Sequence, residues 1–238
     1  MLEPTNQTTC FDGALLMREL SHRINNEFTS AISVISLTAA RSGSSEVKAA
    51  LSDVSDRLHR YADVHRTLQM PEYHTCINAA LYLQQLCLSI SRSRLEPSNI
   101  KLILAVRPLS IPSDRCWRLG MIVYELITNS ARHAFQGTEG KVLVQLHSAG
   151  NFVECRVSDN GRSPPQIQRG RGLAIIHELA EHLDGRLEQS FGIEGSSSLL
   201  IFPSKMTSSL LPNPTSRDTI TTAWHRSHRS QSYKSLIT

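Results

Sequence analysis

The sequence predicts an α+β protein: a helical hairpin that dimerises into a four-helix bundle, followed by an α/β sandwich in which helices cover one face of a mixed sheet. Three observations predict it. Leu16, Leu20, Ile24, Phe28, Ala31 and Ile35 recur at steps of three or four and form an apolar helical stripe. Val47, Leu51, Val54, Leu58, Tyr61, His65 and Leu68 alternate steps of four and three, a heptad seam. From Ile100 to Phe202, β-rich stretches are interleaved with helical ones, the mixture that builds a layered α/β domain.

In order, residues 1–11 read as an N-terminal lead-in, and the first helix runs from Asp12 to about Arg41. Ser42-Gly43-Ser44-Ser45 breaks it, and a serine before Glu46 caps the second helix, which extends to about Gln69. A lone hairpin cannot cover both apolar stripes, whereas a homodimeric four-helix bundle does; packing of the hairpin on the chain's own second domain is the competing arrangement. Met70–His74, with Pro71, is a break and the expected hinge. The hairpin thus occupies 12–72 and the second domain 73–203. That domain opens with a helix over Ile77–Ser93 and a strand over Ile100–Val106. A longer helix begins at Ser113 or Asp114, either of which could cap it, and reaches Phe135. Lys141–Ser148 and Phe152–Ser158 form a hairpin around Ala149-Gly150-Asn151. A polar loop, Arg162–Arg169, precedes a helix over Leu173–Leu183 and two strands, Arg186–Phe191 and Ser198–Phe202. Beyond Pro203 the chain is Ser/Thr-rich and aperiodic, so 204–238 reads as a disordered basic tail.

Composition narrows the function classes. Of 238 residues, 40% are hydrophobic and 19% charged, as in an ordinary soluble protein. No apolar run approaches the roughly 20 residues of a membrane span. The N-terminus also lacks the basic start and apolar core of a signal peptide. The five cysteines are scattered, which argues against a disulfide framework or zinc site and for a reducing compartment, hence a cytoplasmic location. The net charge of +4 lies wholly in the tail, where Lys205, Arg217, Arg226, Arg229 and Lys234 face only Asp218. The body is balanced, so nucleic acid is not the expected partner.

The residues that could carry chemistry begin with the apolar helix near 114–135. Glu125, Asn129 and His133 recur at i, i+4 and i+8 and stack in one row. Buried acid, amide and imidazole need partners, so the row faces either water or a bound polar ligand. His22 lies about 200° round the first helix from Leu20, on its polar side. It is either a surface histidine or a nucleophile exposed to meet a phosphoryl donor. Glu19, one turn earlier, could orient it or accept its proton. Asp159-Asn160-Gly161 is turn chemistry that could also accept a hydrogen bond from an exocyclic amine, with Gly161 permitting close approach of a base. Gly170-Arg171-Gly172 before a helix offers a flexible lid and backbone N–H groups to phosphate, with Arg162, Arg169 and Arg171 nearby. His59 reads as an exposed helix residue and His65 as a core histidine.

The order of these pieces resembles the GHKL (Bergerat) ATP-binding fold shared by sensor histidine kinases, gyrase-type topoisomerases and heat-shock ATPases. The stretch Glu19-Leu-Ser-His22-Arg-Ile-Asn-Asn26, Arg132-His133 in the polar helix, and Asp63-Val64-His65 narrow the resemblance to bacterial sensor histidine kinases of the HWE-like kind. The resemblance spans about Leu15 to Pro203. It implies a phosphoacceptor role for His22 and Mg²⁺ held by Asn129 across the phosphates of ATP. It further implies that Glu125 polarises a water or the metal shell, that Arg132 and His133 face phosphate, and that Asp159 reads the adenine amine. Gly161, Gly170, Gly172 and Ser198 would shape the pocket and lid. The implied partners are a second copy of the chain and the receiver domain of a response regulator.

This sequence departs from the family pattern in several places. The second glycine of Asp-x-Gly-x-Gly is replaced by Ser163, the Trp-x-Glu signature is absent around Val153–Asp159, and position 25 is Asn rather than Lys. The last glycine box reads Gly195-Ser-Ser-Ser198 rather than Gly-Thr. No sensory domain is read before His22 and no receiver after Pro203, so the signal is expected through a partner such as a separate sensor protein. The leading expectation is an ATP-dependent histidine autokinase. The alternatives are a dimeric histidine phosphotransfer or scaffold protein with a degenerate ATP fold, and a GHKL serine kinase or ATPase that does not use His22.

Overall fold

Two long helices open the chain in the computed structural model, which describes residues 7–69, 75–162 and 171–204, with side chains from Glu19 onward. Helix α1 spans Gln7–Arg41 and α2 spans Ser45–Thr67, and the two pack on each other. The first helix starts at Gln7 rather than Asp12, so the end of the expected lead-in is helical. The cap of α2 is Ser44, whose hydroxyl accepts from the Val47 amide at 3.3 Å. Apolar residues of both helices stay open to solvent in the single chain: Leu20, Ile24, Val34, Leu37, Val47 and Val54 are all exposed.

A short strand, β1 (Cys76–Asn78), replaces the expected start of the next helix and pairs antiparallel with β3 (Ser110–Pro112). Asn78 decides the boundary. Its Oδ1 accepts from the amides of Ala80 and Leu81, so α3 begins at Ala79 and runs to Ile90. A π-helical turn (Ser91–Leu95) and a 3₁₀ turn (Glu96–Ser98) lead into β2 (Ile100–Val106). Helix α4 covers Ser113–His133. Neither Ser113 nor Asp114 caps it: Pro112 occupies the N-cap position, and Asp114 instead pairs with Arg118 at 2.6 Å. After α4 come β4 (Gly140–Ala149), β5 (Phe152–Asp159), α5 (Arg171–Glu181), β6 (Arg186–Gly192) and β7 (Gly195–Pro203).

The main sheet has the order β2-β4-β5-β7-β6, parallel between β2 and β4 and antiparallel elsewhere. Its alternate residues Val142, Val144, Leu146, Val153, Cys155, Val157, Leu200 and Phe202 face α3, α4 and α5 in one core with Leu83, Leu86, Leu119, Val123, Ile127 and Ile176. This is the expected two-layer sandwich. Arg115 fastens one end of it: fully buried, it donates to the carbonyls of Leu183 (2.6 Å) and Pro203 (2.9 Å) and lies over the Phe202 ring. The expected hinge at 70–74, most of the loop after Arg162, and the tail from 205 lie outside the described residues.

Candidate nucleotide-binding site

Helix α4 carries a polar row because 3.6 residues per turn stack Glu125, Asn129 and His133 while Ile122, Val123, Leu126 and Ile127 turn into the core. The row borders a cavity of about 570 Å³. Pairing of β5 with β7 brings the end of one strand, Asp159, beside the start of the other, Gly195–Ser196, and Asp159 and Ser196 border the cavity with Val157 and Ser198. The start of α5 supplies Gly172, Leu173 and Ile175. The cavity therefore has an apolar wall, a polar wall from α4, and a carboxylate at its base. Ile175 is open to solvent although large and apolar.

Asp159 is the most fully engaged group. It is nearly buried, and its Oδ1 accepts from the amides of Gly161 (3.0 Å) and Ser196 (3.2 Å). Its Oδ2 accepts from the hydroxyls of Ser130 (2.7 Å) and Ser196. Ser198 is buried and accepts from Gln189 at 2.9 Å. Gly195 has no room for a side chain: its φ is +130°, and a Cβ there would lie 2.0 Å from the Asp159 carbonyl oxygen. At Gly172 a Cβ would come within 3.2 Å of the Glu125 carboxylate, so the amino end of α5 closes over the α4 row.

The structure brings together Glu125, Asn129, Arg132, His133, Asp159, Gly172 and Ser198 of the residues singled out in the sequence. It leaves others apart. Gly161 does not border the cavity; its missing Cβ makes room for Ala134, whose carbonyl oxygen would lie 2.5 Å away. Gly170 lies outside the described residues. His22 is exposed on α1 and is not among the cavity residues. Glu19, read as its orienting acid, pairs instead with Arg23 at 2.9 Å. Ser130 and Ser196 border the cavity and were missed as site residues. No signal in the sequence marks either, since each acts by meeting the distant Asp159 carboxylate.

His65 is half-buried at the end of α2, with Nδ1 3.3 Å from Asn25 Oδ1 and its ring beside Phe28; burial lowers its pKa from the ordinary value. No cluster of three or more acidic, histidine or cysteine side chains fit for a metal ion occurs among the described residues.

Comparison with known proteins decides the family. A family model described as histidine kinase matches residues 19–94, and one described as histidine kinase-like ATPase domain matches residues 101–190. The chain belongs to the histidine kinases. It is 28% identical over 188 residues to the sensor histidine kinase PdtaS of Mycobacterium tuberculosis, a match covering 72% of this chain and 36% of the relative. It is 22% identical over 214 residues to blue-light-activated histidine kinase 2 of Erythrobacter litoralis, covering 85% of this chain and 61% of that one. The chain thus spans about a third of the length of the PdtaS relative. Among solved structures, the histidine kinase domain of the Erythrobacter litoralis blue-light-activated kinase superposes with a TM-score of 0.54 at 19% identity, covering 75% of this chain and 96% of that domain. That likeness is one of fold, and it bears out the helical hairpin and GHKL-type sandwich read from the sequence. No helix among the described residues is long and apolar enough to cross a membrane.

Proposed function

We propose that this chain is an ATP-dependent protein-histidine autokinase of two-component signalling, phosphorylating His22 and passing the phosphoryl group to an aspartate of a response regulator receiver domain. The observation that carries it is the convergence of Glu125, Asn129 and Asp159 on one cavity of about 570 Å³, downstream of a hairpin that presents an exposed histidine. The volume falls in the range of small-ligand sites, about 300–1,000 Å³.

The chemistry of the cavity fits ATP. Leu126, Val157, Leu173, Ile175 and Phe191 offer an apolar slot for the base, and Asp159 stands at its floor as the acceptor for the adenine amine. Arg132 and His133 border the same cavity at the C-terminal end of α4, and in this reading they face the phosphates. With no cluster of three or more acidic, histidine or cysteine side chains among the described residues, a Mg²⁺ ion suits the site in the mode that uses few protein ligands, Asn129 foremost, and completes its shell with phosphate oxygens and water. That ion would neutralise charge on the phosphates, and Glu125 would hold a water of its shell. His22 acts as nucleophile: an imidazole nitrogen forms the N–P bond as the bond from Pγ to the bridging oxygen breaks, ADP leaves, and the ring proton passes to solvent. Because His22 stands outside the cavity, transfer requires the hairpin, taken as about 12–72, to move against the 73–203 domain or to meet the domain of a second copy.

The exposed apolar residues of α1 and α2 support a homodimeric bundle, in which Val47 and Val54 become buried. Charge placed there, as in Val47→Glu with Val54→Glu, yields monomers in analytical ultracentrifugation.

The test uses γ-labelled ATP with Mg²⁺. Acid-labile, alkali-stable label that disappears in His22→Ala and in Asn129→Ala supports the kinase; undetectable ATP binding by the folded protein sinks it. A second reading, a histidine phosphotransfer protein with a degenerate ATP fold, is favoured by one observation: the two oxygens of Asp159 already accept four hydrogen bonds. Label acquired only from a phosphorylated partner would select that reading.

A further inference from the structure

A second cleft, of about 480 Å³, lies where α2 meets the π-helical turn and the end of α4. Its distinguishing content is four arginines: Arg57 and Arg60 from α2, Arg94 from the turn, and Arg132 from α4. None forms an ion pair with a carboxylate among the described residues. Asp53 and Asp56 stand one turn before Arg57 and Arg60 on α2, yet pair with neither. The Nε of Arg60 is buried without a hydrogen-bond partner among the described residues. Arg94 is held in place, its guanidinium 5.5 Å from the Tyr61 ring centroid and 5.9 Å from that of Tyr124.

Gathering like charges in one cleft, with a buried N–H unpaired, is unfavourable unless an anion completes it. The serine and threonine hydroxyls that line the cleft are already engaged. Ser93 donates to the Ile90 carbonyl at 3.2 Å, Ser98 to the Arg94 carbonyl at 3.3 Å, and Thr128 to the Tyr124 carbonyl. One Arg94 Nη2–H donates to the Tyr124 hydroxyl at 3.3 Å; the donors left are the other guanidinium N–H groups, in the fork geometry that grips oxyanions, and the Tyr61 hydroxyl. A ligand here must be acceptor-rich and carry several negative charges within a small volume, which a lone carboxylate does not. We propose that this cleft binds a compact oligophosphate, either an inorganic phosphate chain or the phosphate chain of a nucleotide, at a site separate from the candidate ATP cavity. Since Arg57 and Arg60 belong to the hairpin while Arg94 and Arg132 belong to the sandwich, the bound anion bridges the two. Arg132 also borders the ATP cavity, so the two sites share one side chain.

The probe is tripolyphosphate, titrated calorimetrically into the whole chain in EDTA at fixed moderate salt. Binding is expected in the parent protein and in Asn129→Ala, and a loss of at least about tenfold is expected in Arg57→Gln/Arg60→Gln, two charges removed from a charge-driven contact. The single variant Arg57→Glu, an exposed position whose substitution leaves the helix intact by circular dichroism, is expected to lose binding as well. Titrating ADP into Asn129→Ala, with and without Arg57→Gln/Arg60→Gln, separates the sources. Binding of tripolyphosphate with ADP silent or unaffected by the α2 substitutions assigns an inorganic chain, and binding of both that the α2 substitutions weaken assigns recognition of the chain on either carrier. No tripolyphosphate binding overturns the proposal. So does binding unchanged by the α2 substitutions, or binding lost in Asn129→Ala and kept in Arg57→Gln/Arg60→Gln. Capture of an Asp/Glu-rich peptide in place of tripolyphosphate overturns it too.

Discussion

Replacing Asp159 by alanine is the obvious test of nucleotide recognition, and the structure says that it disturbs much more than recognition. The carboxylate accepts from two backbone amides, Gly161 (3.0 Å) and Ser196 (3.2 Å), and from the hydroxyls of Ser130 (2.7 Å) and Ser196. Hydrogen bonds to a charged group contribute ~1.5–3 kcal/mol each, and a donor left buried without a partner costs ~1–3 kcal/mol. The four bonds share two oxygens and are not additive. The expected destabilisation by Asp159→Ala is therefore ~3–5 kcal/mol, less than the sum of four separate bonds. At ~2–4 °C per kcal/mol for a domain of this size, the midpoint falls by ~6–20 °C. Asp159→Asn keeps one oxygen for the two amides and presents an NH₂ group to two hydroxyls that can rotate to accept, so its cost is ~1–2 kcal/mol. The asparagine variant thus isolates loss of the acceptor from loss of the fold. Thermal unfolding followed by far-ultraviolet circular dichroism, with nucleotide titration at a temperature where all forms are folded, makes the comparison. If Asp159→Ala melts within ~2 °C of the parent, the four-bond account is wrong.

Gly195→Ala forces a Cβ to within 2.0 Å of the Asp159 carbonyl at a φ of +130°; a loss of ~2–4 kcal/mol is expected in denaturant titration. In a Cys10→Ser background, Cys76 is exposed and reacts quickly with a disulfide reagent at pH 8. Cys87, Cys116 and Cys155, each pushed up to about 12 by burial, react only as the protein unfolds, and fast labelling of all four would contradict the packing. Burial lowers the pKa of His65, so the unfolded chain takes up its proton first as pH falls. Stability contributed by neutral His65 is complete above its unfolded pKa of about 6.5 and is lost progressively as pH drops from there toward the folded pKa. The midpoint should fall on acidification, and His65→Gln should flatten that slope; an unchanged slope places the titration elsewhere.

Much of this was legible in the sequence for a physical reason: long elements carry their burial pattern openly. The strand Ile100–Val106 was read at its observed bounds, and the heptad seam of α2 and the polar row of α4 fell where a period of 3.5–3.6 puts them. Short elements were not legible. The β1–β3 ladder pairs three residues with three, too few for any period to register, and it exists because Cys76–Asn78 and Ser110–Pro112 flank the starts of α3 and α4. Arg115 reads as surface from composition alone. It is buried because two backbone carbonyls, Leu183 and Pro203, meet its guanidinium from distant points of the chain. Ser130 and Ser196 were invisible as site residues because their role is to hold Asp159, and nothing in a sequence shows which hydroxyl a distant carboxylate will meet. Gly161 was assigned to ligand approach when its lack of a side chain serves Ala134.

If His22 is the phosphoacceptor, its position outside the cavity makes the hairpin contacts a control point. The end of α2 packs on the sandwich through Val64, buried in the shared core, and polar contacts add to this: the Trp117 indole N–H donates to the Leu68 carbonyl at 2.9 Å, and the Arg94 guanidinium lies near the rings of Tyr61 and Tyr124. A neutral hydrogen bond contributes ~0.5–1.5 kcal/mol and a cation–π contact ~0.5–1 kcal/mol. The polar contacts alone therefore contribute a few kcal/mol to holding the hairpin. If transfer to His22 requires this arrangement to open, removing the indole donor should make opening easier. Trp117→Phe keeps a six-membered ring but removes the N–H with the five-membered ring that carries it; the lost hydrogen bond alone gives up ~1 kcal/mol, about a fivefold gain in the open population. Under single-turnover conditions the labelling rate of His22 should rise by up to that factor while ATP affinity stays constant. A rate equal to or below that of the parent, with affinity unchanged, would mean that the described packing already permits transfer, or that His22 is served by the domain of the second subunit.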